Sequence, residues 1–193
     1  KGWRKIPDIP RKPLSNLAST AQTPISLANA ILQLNRESIG NILAKFLINM
    51  TFGLGGMFDV AGKQEFGSMP TVVEDFGQTL ATWGVGDGFY IVLPLFGPSN
   101  LRDTTGMVMT MMTDPINAYV VSEGEAWIGP MRTAANAVDQ RSKIIDEVNA
   151  LRDNSVDYYA AVRSSYYQNR NAAINNIDDS ELTPLPLISI EFE

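Results

Sequence analysis

The sequence predicts an all-α fold of about six or seven helices in a single domain. Three observations carry this. Apolar residues recur at i, i+3, i+4 and i+7 in segment after segment, the spacing of one helix face. Glycine-rich stretches separate those segments, as helix ends require. No series of strand-like runs alternates with helices in the manner of a βαβ sheet. At 193 residues the chain is long enough to bury a core.

The elements follow in order. Residues 1–13, KGWRKIPDIPRKP, hold three prolines and five basic residues. Proline and the residue before it resist helix, so 1–14 is expected to be an extended lead-in. A helical domain is expected over 15–176 and an extended tail over 177–193. Leu17 and Ala21 start a helical pattern, and Ile25, Ala28, Ile31 and Leu32 resume it past Pro24. Thr23 reads as an N-cap with Pro24 in the first helical position. Ile39, Ile42, Leu43, Phe46, Leu47 and Met50 form the clearest stripe. Gly53, Gly55 and Gly56 end it. The uncharged run Phe46 to Phe58 has 13 residues, against about 20 for a spanning helix, so it reads as core or as a segment lying in an interface.

Residues 63–71 read as a polar loop. Val72, Val73, Phe76, Leu80 and Trp83 predict a helix capped at Thr71, with Glu74 in its first turn. GVGDG at 84–88 stops it. Next comes an apolar run from Ile91 to Phe96, broken by Pro94. It suits a buried strand or a surface that meets lipid. Asp103 or Thr104 is expected to cap the next helix, with Met107, Val108, Met111 and Met112 on one side. Pro115 kinks or restarts it before Ile116, Tyr119 and Val120. Glu123 to about Leu151 is the longest regular stretch expected, with Ile128, Met131, Ala135, Val138, Ile145 and Val148 on one face. Asp153 to about Ile174 closes the series, with Tyr159, Val162 and Tyr166 aligned. The tail PLPLISIEFE reads as extended, or as an edge strand.

Composition narrows the function. Charged residues make up 19%, below the roughly 25% of an ordinary soluble domain. The net charge of −6 argues against nucleic acid, whose phosphates need a basic face. It also argues against electrostatic capture by anionic lipid. Neither histidine nor cysteine is present. The usual general base near neutral pH, the Ser-His and Cys-His pairs and the commonest metal ligands are therefore missing. No metal site and no cofactor is expected, and no spacing pairs two carboxylates for acid–base work. GLGGMF at 53–58 and GVGDGF at 84–89 lack the Gly-Lys-Ser/Thr of a phosphate loop and read as helix terminators. Asp59, Asp87, Asp103 and Asp114 read as caps and turn residues. Arg102 and Asp103 are adjacent, so each is expected to tie down a neighbouring loop rather than face the other. Met107, Met109, Met111 and Met112 either fill a core or mark a helix apolar all round. The residues thus favour lipid or protein contact over chemistry.

The chain resembles the MlaA/VacJ family of outer-membrane lipoproteins, from about Trp3 to about Arg170. The early match falls on Pro7, Arg11, Asn16, Pro24, Asn29, Leu32 and Gln33. FLINMTFGLGGMFDVAG carries Phe46, Asn49, Thr51, Gly53, Gly55, Gly56, Asp59 and Ala61. DFGQTLATWGVGDGFYIVLPLFGPSNLRDTTG carries Phe76, Gly77, Thr79, Leu80, Gly84, Gly86, Gly88, Tyr90, Leu93, Pro94, Gly97, Pro98, Arg102, Asp103 and Gly106. The closing YYAAVRSSYYQNR carries Tyr158, Arg163, Tyr166 and Arg170.

The resemblance implies a ring-like amphipathic assembly of helices in the periplasmic leaflet of a Gram-negative outer membrane. It implies a channel that removes misplaced phospholipid from the outer leaflet, with no bond made or broken. The implied partners are membrane phospholipids, a trimeric outer-membrane porin and a periplasmic lipid-carrier protein. On this reading Phe46, Met50, Phe52, Leu54, Met57, Phe58, Phe89, Ile91, Leu93, Leu95 and Phe96 contact lipid. Asn49, Gly53, Gly55, Gly56, Asp59, Gly84, Gly86, Gly88, Pro94, Gly97, Pro98, Arg102 and Asp103 hold the structure. The family's leader and lipid-modified cysteine do not precede Lys1, so the chain reads as mature or trimmed. Two alternatives stand beside this: a soluble periplasmic lipid-binding or adaptor module, and a carboxylate-dependent lipid hydrolase using Asp59 or Asp103.

Overall fold

The structure is a computed structural model that describes residues 8–177. Among these, eight α-helices and one two-stranded hairpin form. The mostly helical fold agrees with the sequence reading, with one or two helices more. The described residues divide into two compact units, the first running to Asp146 and the second from Glu147.

In the first unit, α1 (Asp8–Leu32) is a single helix of 25 residues that passes through Pro13 and Pro24. The extended lead-in expected over 1–14 is therefore helical from Asp8, and Thr23 lies inside a helix rather than capping one. Pro10 falls in the first turn, where the backbone N–H has no acceptor to lose. Pro24 is exposed. Bonds from Asn16 and Thr20 on one side of Pro24 and from Asn29 and Gln33 on the other tie α1 to later segments. Tertiary contacts override the local break.

Asn35 caps α2 (Arg36–Phe52), its side chain accepting from the Ser38 N–H, and Gly53 ends the helix as the sequence suggests. A single 3-10 turn (Gln64–Phe66) lies in the polar loop. The next helix, α3 (Phe76–Thr82), is shorter than its apolar pattern predicts. Asp75 caps it, not Thr71. The cause is Glu74, whose side chain is drawn inward and 2% exposed. Its oxygens accept from Ser38 Oγ at 2.8 Å and Gln33 Nε2 at 3.0 Å. Residues 72–75 stay outside the helix, with Asp75 extended.

The apolar run after α3 forms β1 (Tyr90–Leu93) and pairs antiparallel with β2 (Gly97–Asn100), Tyr90 opposite Asn100 and Leu93 opposite Gly97. Asn100, not Asp103 or Thr104, caps α4 (Leu101–Thr113). Asp114 then caps α5 (Pro115–Ser122), with Pro115 in the first turn. The long helix expected from Glu123 to Leu151 is broken. A turn holds 123–126, α6 spans Ile128–Lys143, and α7 spans Ile145–Asn154. α1 is the longest helix instead.

α3 and α4 meet backbone to backbone. A Cβ on Gly106 would lie 2.7 Å from the Gly77 Cα, closer than packed atoms allow. In the second unit, Asp157 caps α8 (Tyr158–Ile174). The Arg152 guanidinium lies 5.4 Å from the Tyr158 ring centroid, and Arg163 lies 5.9 Å from that of Tyr167. The expected tail beyond Ile177 and its PLPLISIEFE lie outside the described residues.

The α3–α4 contact is testable against a control. Gly106→Ala should destabilise the fold by about 1–3 kcal/mol, because backbone rather than a flexible side chain must move. Gly40, inside α2 with nothing within 4 Å of an added Cβ, should gain about 0.5–1 kcal/mol as alanine. Chemical denaturation midpoints of the two variants check both signs.

Candidate lipid-contact surface and polar cavity

Polarity in the first unit runs opposite to that of a water-soluble core. The largest fully buried side chains among the described residues are Glu74, Asn29, Asn100 and Thr79. Its buried hydrophobic residues are Ala30, Ile42 and Ala61. Many large apolar side chains lie outside, with Leu54 70% and Phe89 81% exposed. Thr79 Oγ1 donates to Asn29 Oδ1 at 2.8 Å, and Asn29 Nδ2 donates to the Ile25 carbonyl at 2.9 Å. Gln33 Nε2 also reaches Thr79 Oγ1 at 3.2 Å. With Ser38 and Glu74, these polar groups join α1, α2 and α3. Buried polar groups are stable only when so paired.

Two clamps throw the apolar loops outward. The first is built on Asn49, near the end of α2. Its Oδ1 accepts from the backbone N–H groups of Val60 and Ala61, both at 2.9 Å. Its Nδ2 donates to Asp59 Oδ1 at 3.0 Å, and its carbonyl accepts from the Gly53 and Gly56 N–H groups. Asp59 Oδ2 pairs with Lys45 Nζ at 3.2 Å, and that ammonium donates to Thr71 Oγ1 at 2.7 Å. Asn16 Nδ2 donates to the Met57 carbonyl and Thr20 Oγ1 to the Gly56 carbonyl. Gly56, at φ +87°, sits against Thr20 where a Cβ would collide. With its base held at both ends, the loop presents Phe52, Leu54, Met57 and Phe58 to the outside.

Burial raises the Asp59 pKa. The hydrogen bonds from Asn49 and Lys45, the Lys45 charge and the Gly62 N–H outweigh it and hold the carboxyl below its usual 3.8.

The second clamp is Arg102, 6% exposed. Its NH1 lies 2.5 Å from Asp87 Oδ1 and its Nε 3.0 Å from Asp103 Oδ1. Arg102 and Asp103 were expected to face apart, being adjacent; the long arginine stem instead curls back onto its neighbour in the first turn. Arg102 does tie down the preceding loop, as expected, through Asp87 and the Val85 carbonyl. The Arg102 N–H donates to the Asp87 carbonyl and the Leu101 N–H to the Phe89 carbonyl. Gly88, at φ +69°, lies where a Cβ would be 2.8 Å from that of Leu101.

Of the residues expected to meet lipid, Met50, Phe52, Leu54, Met57, Phe58, Phe89, Leu95 and Phe96 are exposed. Phe46, Ile91 and Leu93 are half-buried. Phe46 lines a cavity instead. Ile91 and Leu93 share one hairpin face, and the exposed Val92 on the other face was missed. Strand alternation carries that signal once the run is read as a strand. Trp83, Met112, Tyr119 and Met131 are also exposed and were not singled out for lipid contact.

The cavity, about 230 Å³, lies among α1, α2 and α6. Ser19, Thr23, Asn41, Lys45, Asp59 and Asn136 line it beside Ala18, Phe46 and Val72. Ser15 Oγ donates to Asp139 Oδ2 across it at 3.0 Å. Glu74, read from the sequence as a first-turn residue of α3, and this cavity were both invisible to residue spacing.

The sequence profile of the family described as "MlaA lipoprotein" matches residues 1–173. A protein of Rickettsia felis is 33% identical over 175 residues, covering 90% of this chain and 67% of that one. The protein of Escherichia coli K12 named "Intermembrane phospholipid transport system lipoprotein MlaA" is 32% identical over 186 residues, covering 94% and 69%. A solved structure described as "Structural basis for maintenance of bacterial outer membrane lipid asymmetry" superposes with a TM-score of 0.71 at 29% identity, covering 90% of this chain and 85% of the other.

Asn49→Ala strands the Val60 and Ala61 N–H groups and should cost about 1–3 kcal/mol. Limited proteolysis should then cut within 53–58 sooner than in the wild type. The Asp59 carboxyl also sets a pH dependence. Its pKa is depressed on folding, so its contribution is present above 3.8 and is lost as pH falls through the lower folded value. Asp59→Asn should flatten that part of the acid limb in a stability-against-pH profile.

Proposed function

The chain belongs to the MlaA lipoprotein family, and on that premise we propose that it transports phospholipid in the outer membrane of a Gram-negative bacterium. It lies in the periplasmic leaflet and passes misplaced lipid from the outer leaflet to a periplasmic carrier. The observation that carries this reading is the inverted polarity, with Glu74, Asn29, Asn100 and Thr79 inside and Leu54, Phe58, Phe89 and Leu95 outside. Apolar surface this extensive is unfavourable in water and suits hydrocarbon. Among the described residues, no helix is long and apolar enough to cross a membrane. The clamped loops can thus immerse in one leaflet without traversing both.

The polar cavity supplies the channel. Its hydroxyls, amides and the Lys45–Asp59 pair replace water around a lipid head group, which would otherwise pay for entering a low-dielectric layer. The tails stay with the apolar face. No covalent step is needed, and the Escherichia coli relative is named for phospholipid transport. A trimeric porin and a soluble periplasmic lipid carrier are the partners proposed with it.

The test is complementation of a Gram-negative strain lacking its own family member, read as phospholipid exposed at the cell surface. The wild-type chain should lower it. Thr23→Trp, which fills the cavity, should still float with phospholipid vesicles but leave surface phospholipid high. Leu54→Asp/Phe58→Asp should fail to float at all. A Thr23→Trp variant that restores asymmetry as well as the wild type removes the cavity from the path.

A further inference from the structure

A cavity of about 230 Å³ lies below the roughly 300–1,000 Å³ of ordinary small-molecule sites. It has room for a head group and none for the tails of the same lipid. A second, larger space is far more apolar. It measures about 500 Å³ and lies among the β1–β2 turn, α4, α5 and α6. We propose that this cleft holds one hydrocarbon chain of a phospholipid; the assignment rests on the transport reading above.

The donor set argues for hydrocarbon. Leu95, Phe96, Met111, Val121, Pro130 and Ala134 form most of the wall. The two polar side chains in it have turned their donors away. Thr133 Oγ1 donates to the Gly129 carbonyl at 3.1 Å, and Asn117 Nδ2 to the Met111 carbonyl at 3.1 Å. What remains is the second Asn117 amide hydrogen and Asn117 Oδ1, a buried acceptor with no hydrogen-bond partner. The acceptor repels phosphate and carboxylate, and one amide hydrogen with no cation in the wall is a poor cradle for an anionic head group. The charges at the edge cancel, since Asp114 at the start of α5 pairs with Arg132 of α6. A peptide segment would bring N–H and C=O groups that these side chains cannot satisfy. A polymethylene chain makes no such demand.

Shape and access agree. Gly129 is buried at the cleft, and a Cβ there would lie 2.7 Å from Asn117 Oδ1. With Ala126 and Ala134 it keeps the slot open. Leu95, Phe96 and Val121 line the cleft while remaining exposed. Met112 and Tyr119, on the same two helices as Met111 and Val121, are exposed as well. A chain can therefore enter sideways from a bilayer without crossing water.

The test uses the full chain with phosphatidylcholine vesicles whose lipid carries a photoreactive diazirine midway along one acyl chain. Cross-linked sites are mapped by mass spectrometry. Adducts are expected on the segments holding Met111, Val121 and Ala134 as well as on the 52–58 loop. Ala134→Trp fills the slot from α6 and should abolish the cleft adducts while leaving flotation and the loop adducts intact. Val121→Trp, from α5, does the same if the first variant does not fold. Wild-type adducts confined to the 52–58 loop, with flotation intact, overturn this assignment alone. So does persistence of cleft adducts in the filled variants. A wild type that neither floats nor cross-links overturns the transport reading and the cleft together.

Discussion

The buried carboxylate of Glu74 is the point on which the first three helices depend. Ser38 of α2 reaches one of its oxygens, and Gln33, just past the end of α1, reaches the other. Gln33 also bonds Thr79, which bonds Asn29, so α3 joins the same network. Such a set is demanding, because a buried polar group left without a partner costs more than a paired one contributes. It is also directional in a way apolar contact is not. A protein whose large apolar side chains face outward cannot rely on a greasy core to choose its packing. Hydrogen bonds choose it instead.

That constraint explains the division of labour around it. Small residues permit close approach where polar groups need it, as at Gly77 and Gly106 between α3 and α4. Asn49 and Arg102 then act as clamps at the bases of two loops. Each satisfies backbone groups or carboxylates that the loop leaves behind, and so holds the loop in a shape its own residues do not favour. Leu54 and Leu95 both adopt positive φ, at 51° and 69°, which costs energy for a branched side chain. The Asn49 clamp holds the loop around Leu54, and the Leu93–Gly97 pairing closes the turn around Leu95; both leucines are presented outward.

Two spaces of contrasting chemistry lie in the first unit. One mixes hydroxyls, amides and a charge pair with apolar side chains; the other is mostly apolar. A molecule with a polar end and an apolar end matches that contrast as neither a sugar nor a hydrocarbon alone does. Asp59 is bonded to Asn49, Lys45 and Gly62, and Asp103 to Arg102 and the α4 cap, so both carboxyls hold structure.

Residue spacing by itself determined the helical class, the α2 stripe, the stop at Gly53 and the restart at Pro115, because these depend on local periodicity and on backbone preferences of single residues. The resemblance to the family supplied Asn49, Asp59, Arg102 and the glycines as positions that matter, without saying what they touch. Tertiary structure alone decided the rest. It ran α1 through Pro24, because bonds on both sides outweigh one missing N–H. It unwound 72–75, because Glu74 is worth more in the interior than in a first turn. It split the long C-terminal pattern into α6 and α7, and it turned Phe46 toward a cavity while leaving Val92 outside. These outcomes depend on partners tens of residues away, and no local pattern records a partner at that distance.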